Sequence, residues 1–187
     1  MNTKNNKLVD VQKVIPHVEL DIRYATHDNF TKQVIYPLAK CYLIEQAALA
    51  LKAVSDEFNT LGYRIKIWDG YRPLRAQHIF WQLVPDERYV ADPKKGSRHN
   101  RGCAVDLTLV DAHGNEVAMG SEFDDFTERA HRDFKDLDPQ VLKNRQLLQD
   151  IMEKHHFMGW HNEWWHFDFK DWESHPILDI PFDEITS

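Results

Sequence analysis

Cysteine is scarce in this chain. Cys41 and Cys103 are the two thiols in 187 residues, too few for a disulfide-built scaffold. Positive charge is short as well: Lys and Arg number 23 against 30 Asp and Glu, a net charge of -7, with no Lys/Arg block. Binding a phosphate backbone needs a basic excess, so a nucleic-acid partner is set aside. No apolar run approaches the roughly 18 residues of a membrane-spanning helix. Met1 to Asp10 is polar and lacks the apolar centre of a signal peptide. The chain is therefore read as soluble and cytoplasmic, with no membrane partner. Repeats of roughly 20–50 residues and low-complexity stretches are also missing.

What is present fits a globular enzyme-sized unit. Hydrophobic residues make up 42% and charged residues 28%, which argues against disorder. At roughly 150 residues per domain the length gives a single domain, read as 1–187 with a tail from about residue 171 wrapping the surface. Histidine is plentiful, at 11 residues. It is the commonest metal ligand and the usual proton carrier near neutral pH. Most histidines in any protein do neither, so only spacing and neighbours can single one out.

Periodicity predicts a mixed architecture. Leu8 to Ile15 and Leu20 to Tyr24 are short β-like runs. Cys41 to Phe58 has a helical repeat, with Leu43, Ala47, Leu51, Val54 and Phe58 on one face and Gly62 as a stop. Tyr63 to Trp68 alternates as a half-buried strand. Pro73 opens a helix to about Leu83, and Pro85 to Arg101 is a long polar loop. Cys103 to Val110 is a strand, Asp111 to Asn115 a turn, and Glu116 to Met119 a hairpin partner. Asp138 and Pro139 start a helix running to about Phe157, with Gly159 beyond it. Glu163 to Phe169 is aromatic and β-like. Helices following short strands without regular alternation indicate α+β, with a mainly antiparallel central sheet and flanking helices.

Three segments concentrate unusual residues. In the first, Ser97 to Asp106, His99 closes the polar loop and Asp106 falls inside an apolar strand. A carboxylate there is costly unless paired, hydrogen-bonded or metal-bound; the alternative is a solvent-facing Asp106 beside Thr108. In the second, Glu163-Trp164-Trp165-His166, the aromatics desolvate both polar residues, which raises the pKa of Glu163 toward that of a useful general base. Glu163 and His166 are three apart, so either the strand begins after Glu163 or a bulge turns it. The alternative is an aromatic cluster with a surface Glu. His99, Asp106 and His166 together supply two imidazoles and a carboxylate, which suits a catalytic zinc with an open position for water. His161 to His166 is not the helical His-Glu-x-x-His motif, since its histidines are five apart. In the third, Trp68 to Pro73, Arg72 either stabilises an oxyanion or substrate carboxylate, or simply ties down the turn.

The motif Ser-x-His-x-x-Gly-x-Ala-x-Asp, on Ser97, His99, Gly102, Ala104 and Asp106, joins Glu163-Trp164-Trp165-His166 and Asp69-Gly70-Tyr71-Arg72-Pro73 in order. With these three motifs the chain resembles the VanX-type D-alanyl-D-alanine dipeptidases, zinc enzymes related to D,D-carboxypeptidases and to the Hedgehog fold. The resemblance runs nearly end to end. It takes in Tyr24-Ala25-Thr26, Asp28-Asn29-Phe30, Met119-Gly120, Phe123-Asp124 and Glu128-Arg129. It implies one zinc per chain on His99, Asp106 and His166, Glu163 as general base and acid, and Arg72 stabilising the tetrahedral intermediate. It implies substrate contacts at Tyr24, Ser97 and Asp124, with a small dipeptide as the partner. Arg98 stands where the family pattern has a smaller polar residue, which bears on the pocket's shape; Cys103 likewise replaces a small residue. The rival readings are a related D,D-carboxypeptidase or cell-wall endopeptidase, a non-catalytic zinc-binding module, and a non-haem iron oxygenase. The six residues between His99 and Asp106 weigh against the last.

Overall fold

The structure is a computed structural model describing residues 6–186. Its main sheet has five strands, spatially ordered β2 (Glu19–Leu20), β4 (Arg64–Asp69), β5 (Ala104–Val110), β7 (His166–Phe169) and β6 (Phe157–Gly159). β2 runs parallel to β4 and the other neighbours are antiparallel. A small second sheet pairs β1 (Leu8–Asp10) with β3 (Tyr42–Ile44). The helices are α1 (Val11–Val14), α2 (Glu45–Thr60), α3 (Leu74–Leu83) and α4 (Pro139–Lys154). This is the α+β architecture with a mainly antiparallel sheet that the sequence pattern indicates.

Several boundaries differ, each for a local reason. The run from Leu8 is not one extended segment: Asp10 accepts from the Gln12 amide and caps the single turn α1. The second run leaves the sheet after Leu20 and forms a 3-10 turn at Arg23–Ala25 that buries Tyr24. Tyr42 to Ile44 is strand rather than helix, and α2 starts at Glu45. Glu116 meets Val110 in an isolated bridge, so no full hairpin strand forms. α4 is capped by Asp138 at Gln140 N, as expected, but ends at Lys154. His156 then adopts φ 71°, and the reversal sends Phe157 into β6 beside β7.

The central strands have two distinct faces. Ile65, Ile67, Val105, Leu107, Leu109, Phe167 and Phe169 join the buried residues of α2 and α4 in one apolar cluster. Burying each such side chain contributes roughly 1.5–3 kcal/mol. Residues of opposite parity, Asp106, Thr108, His166 and Asp168, are buried too. β5 is thus buried at every position, which overturns the solvent-facing alternative for Asp106. A β-bulge shifts the β4–β5 register between Ile67 and Asp69, so that Asp69 stands opposite Asp106. Asp106 in turn pairs with His166. Three adjacent strands therefore carry polar side chains in one row.

Candidate active site

The row converges on one cluster. His166 Nδ1 lies 2.9 Å from Asp106 Oδ1, and His99 Nε2 lies 3.4 Å from Asp106 Oδ2. His99 Nε2 is 3.2 Å from His166 Nδ1. His99 comes from the 3-10 turn His99–Arg101 that ends the long loop. Gly102 closes that turn at φ 66°, where an added Cβ would meet Leu8 Cδ2 at 2.7 Å; both facts call for glycine. Glu163 lies in the turn before β7, since the strand starts only at His166. Its Oε2 approaches His166 Nδ1 to 3.8 Å.

The remote ring nitrogens decide what the cluster can hold. His99 Nδ1 lies 2.7 Å from the Gly70 carbonyl. A carbonyl only accepts, so that nitrogen donates and a neutral ring leaves Nε2 with its lone pair. His166 Nε2 lies 2.8 Å from Asp168 Oδ1, which by the same logic bares Nδ1. Two lone pairs and a carboxylate then face one another with no proton between them, the arrangement a cation resolves. Without a metal a proton takes that place. Burial lowers the His166 pKa, but Asp168 and Asp106 outweigh it and raise it to about 10. Burial pushes the Asp106 carboxyl up, while His99 and His166 hold it well below the usual range. The donor set and geometry fit a metal.

Glu163 has the opposite setting. Burial raises its pKa to about 7, against the pull of the imidazoles and Arg72 and with the help of Asp106. Arg72 is indeed tied down: its Nε and Nη2 bond Asp69 Oδ2 at 3.2 and 2.7 Å, and Nη1 bonds Gln77 Oε1 at 2.9 Å. Its guanidinium sits 4.6 Å over the Phe80 ring. Three of its five N–H groups are used, which leaves two for a ligand. The Tyr24 hydroxyl donates to Asp124, at 3.1 Å from Oδ1 and 3.0 Å from Oδ2. Asp124 sits at φ 59°, a rare conformation for a residue with a Cβ. Its neighbour Phe123 stacks on Trp68 at 5.0 Å and meets Trp165 edge-on. The Ser97 hydroxyl accepts from the His99 amide at 3.2 Å.

All eight residues singled out in the sequence line one cleft. A model of the D-ala-D-ala dipeptidase family matches residues 4–184. The chain belongs to the D-Ala-D-Ala dipeptidase family. Among the dipeptidases it resembles is that of Escherichia coli strain K12, 41% identical over 172 residues, covering 92% of this chain and 89% of the relative. The Enterococcus faecalis D-alanyl-D-alanine dipeptidase is 33% identical over 187 residues, covering 89% and 93%. The structure of the LD-carboxypeptidase LdcB matches with a TM-score of 0.50 at 19% identity, covering 99% of this chain and 81% of that one, a likeness of fold. Membership in this dipeptidase family makes the chain a metallopeptidase.

Sequence reasoning missed several supports of the site. Asp168 orients His166 from two residues along the same strand face, a spacing that was readable. Asp69 clamps Arg72 and also accepts from the Tyr36 hydroxyl at 2.9 Å. Asn100 donates to the Arg72 carbonyl at 2.9 Å and accepts from the Ser97 amide at 2.7 Å. Arg132 donates to the His166 carbonyl at 2.8 Å from a distant segment, and nothing local marks it. Arg98 is part of the cleft wall. Its guanidinium lies 4.6 Å from both the Trp160 and Trp172 rings, and its Nε is 3.5 Å from Asp168. Trp172 thereby packs the tail onto the site. Neither cysteine is in a disulfide, and among the described residues no helix is long and apolar enough to cross a membrane.

Proposed function

We propose that this chain hydrolyses the D-alanyl-D-alanine dipeptide to two D-alanines, with one zinc ion held by His99, Asp106 and His166. The observation that carries the reading is the position of Glu163. A carboxyl with its pKa raised to about 7 stands 3.8 Å from a metal-facing imidazole nitrogen. Bound zinc supplies a Lewis acid for the scissile carbonyl and makes its water acidic near neutral pH. Glu163 takes the proton of the attacking water. As the C–N bond breaks, it returns that proton to the leaving amine. A well-placed general base contributes about 10²–10⁴-fold. The two remaining N–H groups of Arg72 stabilise the oxyanion, and Asp69 and Gln77 fix their direction.

The ends of the cleft explain a free dipeptide. Asp124 receives the substrate ammonium. Burial, with Asp106 and Glu163 nearby, raises its carboxyl well above the usual range; a bound cation reverses that, so ammonium binding and ionisation of Asp124 reinforce each other. Burial and the adjacent Asp124 also keep the Tyr24 hydroxyl protonated, hence a donor. Ser97 uses its oxygen as an acceptor for His99 N, which leaves its O–H to donate to the substrate carboxylate. Such a reaction serves either resistance to vancomycin-type antibiotics, by removing a peptidoglycan precursor, or salvage of D-alanine.

The test is Glu163→Ala, assayed on D-Ala-D-Ala, an L,L-dipeptide and a D-Ala-D-Ala-terminated pentapeptide. Zinc content stays near one per chain while dipeptide turnover collapses. Near-wild-type turnover in the variant overturns the role of Glu163. Wild-type preference for the pentapeptide favours the carboxypeptidase reading, and zinc binding without hydrolysis favours a binding module.

A further inference from the structure

A second cluster lies outside the cleft. His131, Asp133 and His161 bring one donor atom each to within 4.8 Å of one another. His161 Nε2 is 3.6 Å from Asp133 Oδ1. The two rings lie 5.6 Å apart, inclined by 43°. The donors are again two imidazoles and a carboxylate, a set suited to zinc and its neighbours in the first transition row.

The backbones that carry these side chains are fastened to each other. The Arg132 amide donates to the His161 carbonyl at 2.9 Å, and the Trp164 amide donates to the Ala130 carbonyl at 3.0 Å. The Arg132 side chain adds a bond from Nε to the Trp160 carbonyl at 2.8 Å. The cluster thus joins two segments already held in register, with Glu163 two residues beyond His161. The mechanism above uses none of its three residues.

We propose that His131, Asp133 and His161 form a second, surface site for a zinc-class divalent cation, which fastens the 131–133 segment to the turn bearing Glu163. Water completes the coordination, because the Asp133 and His161 side chains are 68% and 61% exposed. Exposure makes this site the weaker and faster-exchanging of the two.

Zinc binding to the full chain, followed by calorimetry and equilibrium dialysis, tests the proposal without any activity assay. The wild type takes up two equivalents, one tight and one weaker. His131→Ala and His161→Ala each lower the total from two to one by removing the weaker isotherm. His166→Ala removes the tight one and keeps the weaker. Between one and two equivalents the Arg132 and Trp164 amides slow in hydrogen exchange, and they do not in the His131→Ala/His161→Ala double variant. A wild type that stops at one equivalent with zinc in several-fold excess overturns the site. So does a second equivalent that survives in the double variant. Equal slowing in the double variant overturns the fastening. Loss of the tight isotherm alone bears on the catalytic reading and leaves this one standing.

Discussion

His99, Asp106 and His166 are 3%, 3% and 7% exposed, whereas His131, Asp133 and His161 offer the same donor types at the surface. The buried histidines each have a fixed partner on the remote nitrogen, the Gly70 carbonyl and the Asp168 carboxylate. Among the described residues no hydrogen bond reaches a ring nitrogen of His131 or His161. The buried trio also has a cleft, a carboxyl of raised pKa and a clamped guanidinium beside it. The difference separates a bare set of donor atoms from one whose surroundings fix and desolvate it. Donor identity is shared by both clusters; a fixed partner on each remote nitrogen, desolvation and a neighbouring carboxyl of raised pKa belong to one.

The widest gap opens when a histidine is removed from each cluster. His166→Ala abolishes the tight zinc and with it turnover. His161→Ala, measured at one zinc per chain, stays within about twofold of wild type, as surface substitutions commonly do. Matched losses in the two variants would place the surface cluster inside the catalytic machinery and dissolve the contrast. A smaller effect isolates tautomer control. Asp168→Asn keeps the size of the side chain but weakens the orientation of His166, so zinc affinity falls about 10–100-fold, read by competition with a chelator. Unchanged affinity would mean that burial alone sets the difference.

The pH profile probes desolvation. Glu163 must be ionised to accept the water's proton, so kcat/KM falls as pH drops through its pKa. In the metal-free protein that value is raised to about 7, and the charge of a bound cation pulls it down toward the ordinary value of roughly 4.3. The acid limb of the zinc-loaded protein therefore lies between these two, and it disappears from the residual activity of Glu163→Gln. An acid limb that persisted unchanged in the residual activity of Glu163→Gln would show that Glu163 is not the group that titrates there.

The buried site was largely legible because its residues break local rules. A carboxylate in an apolar strand, as at Asp106, and an acid among tryptophans, as at Glu163, are expensive enough to notice in one dimension. The dipeptidase motifs then joined segments that periodicity could not. Short elements were harder to read: Leu8 to Ile15 carries no periodic sign that Asp10 caps a turn, and the left-handed His156 that ends α4 early has no glycine to announce it. The supports of the site are harder still. Asp69 reaches its place opposite Asp106 only through a bulge, and Arg132 acts across the fold on the backbone of β7. The surface cluster left no trace, since His131, Asp133 and His161 break no rule where they stand.

Desolvation also ties stability to pH. In the metal-free protein the folded state holds the Glu163 proton more tightly than the unfolded chain, because burial raises the pKa from 4.5 to about 7. As pH rises through that window the unfolded state releases its proton first, so stability falls and stays lower above 7. Glu163→Gln removes the titration. The metal-free variant is then more stable than wild type at about pH 8 and no more stable below about pH 4.5. The ceiling is about 3 kcal/mol, at 1.36 kcal/mol per pKa unit, and the 20% exposure of the side chain keeps the gain beneath it. Thermal melts in chelator across this range give the difference directly. Zinc shrinks it, because the cation favours the ionised carboxylate that Gln lacks. At the surface, Asp133→Asn moves the same melts by no more than about 0.5 kcal/mol. If Asp133→Asn and Glu163→Gln behaved alike, desolvation would not distinguish the two clusters, and the raised pKa of Glu163 would lose its physical cause.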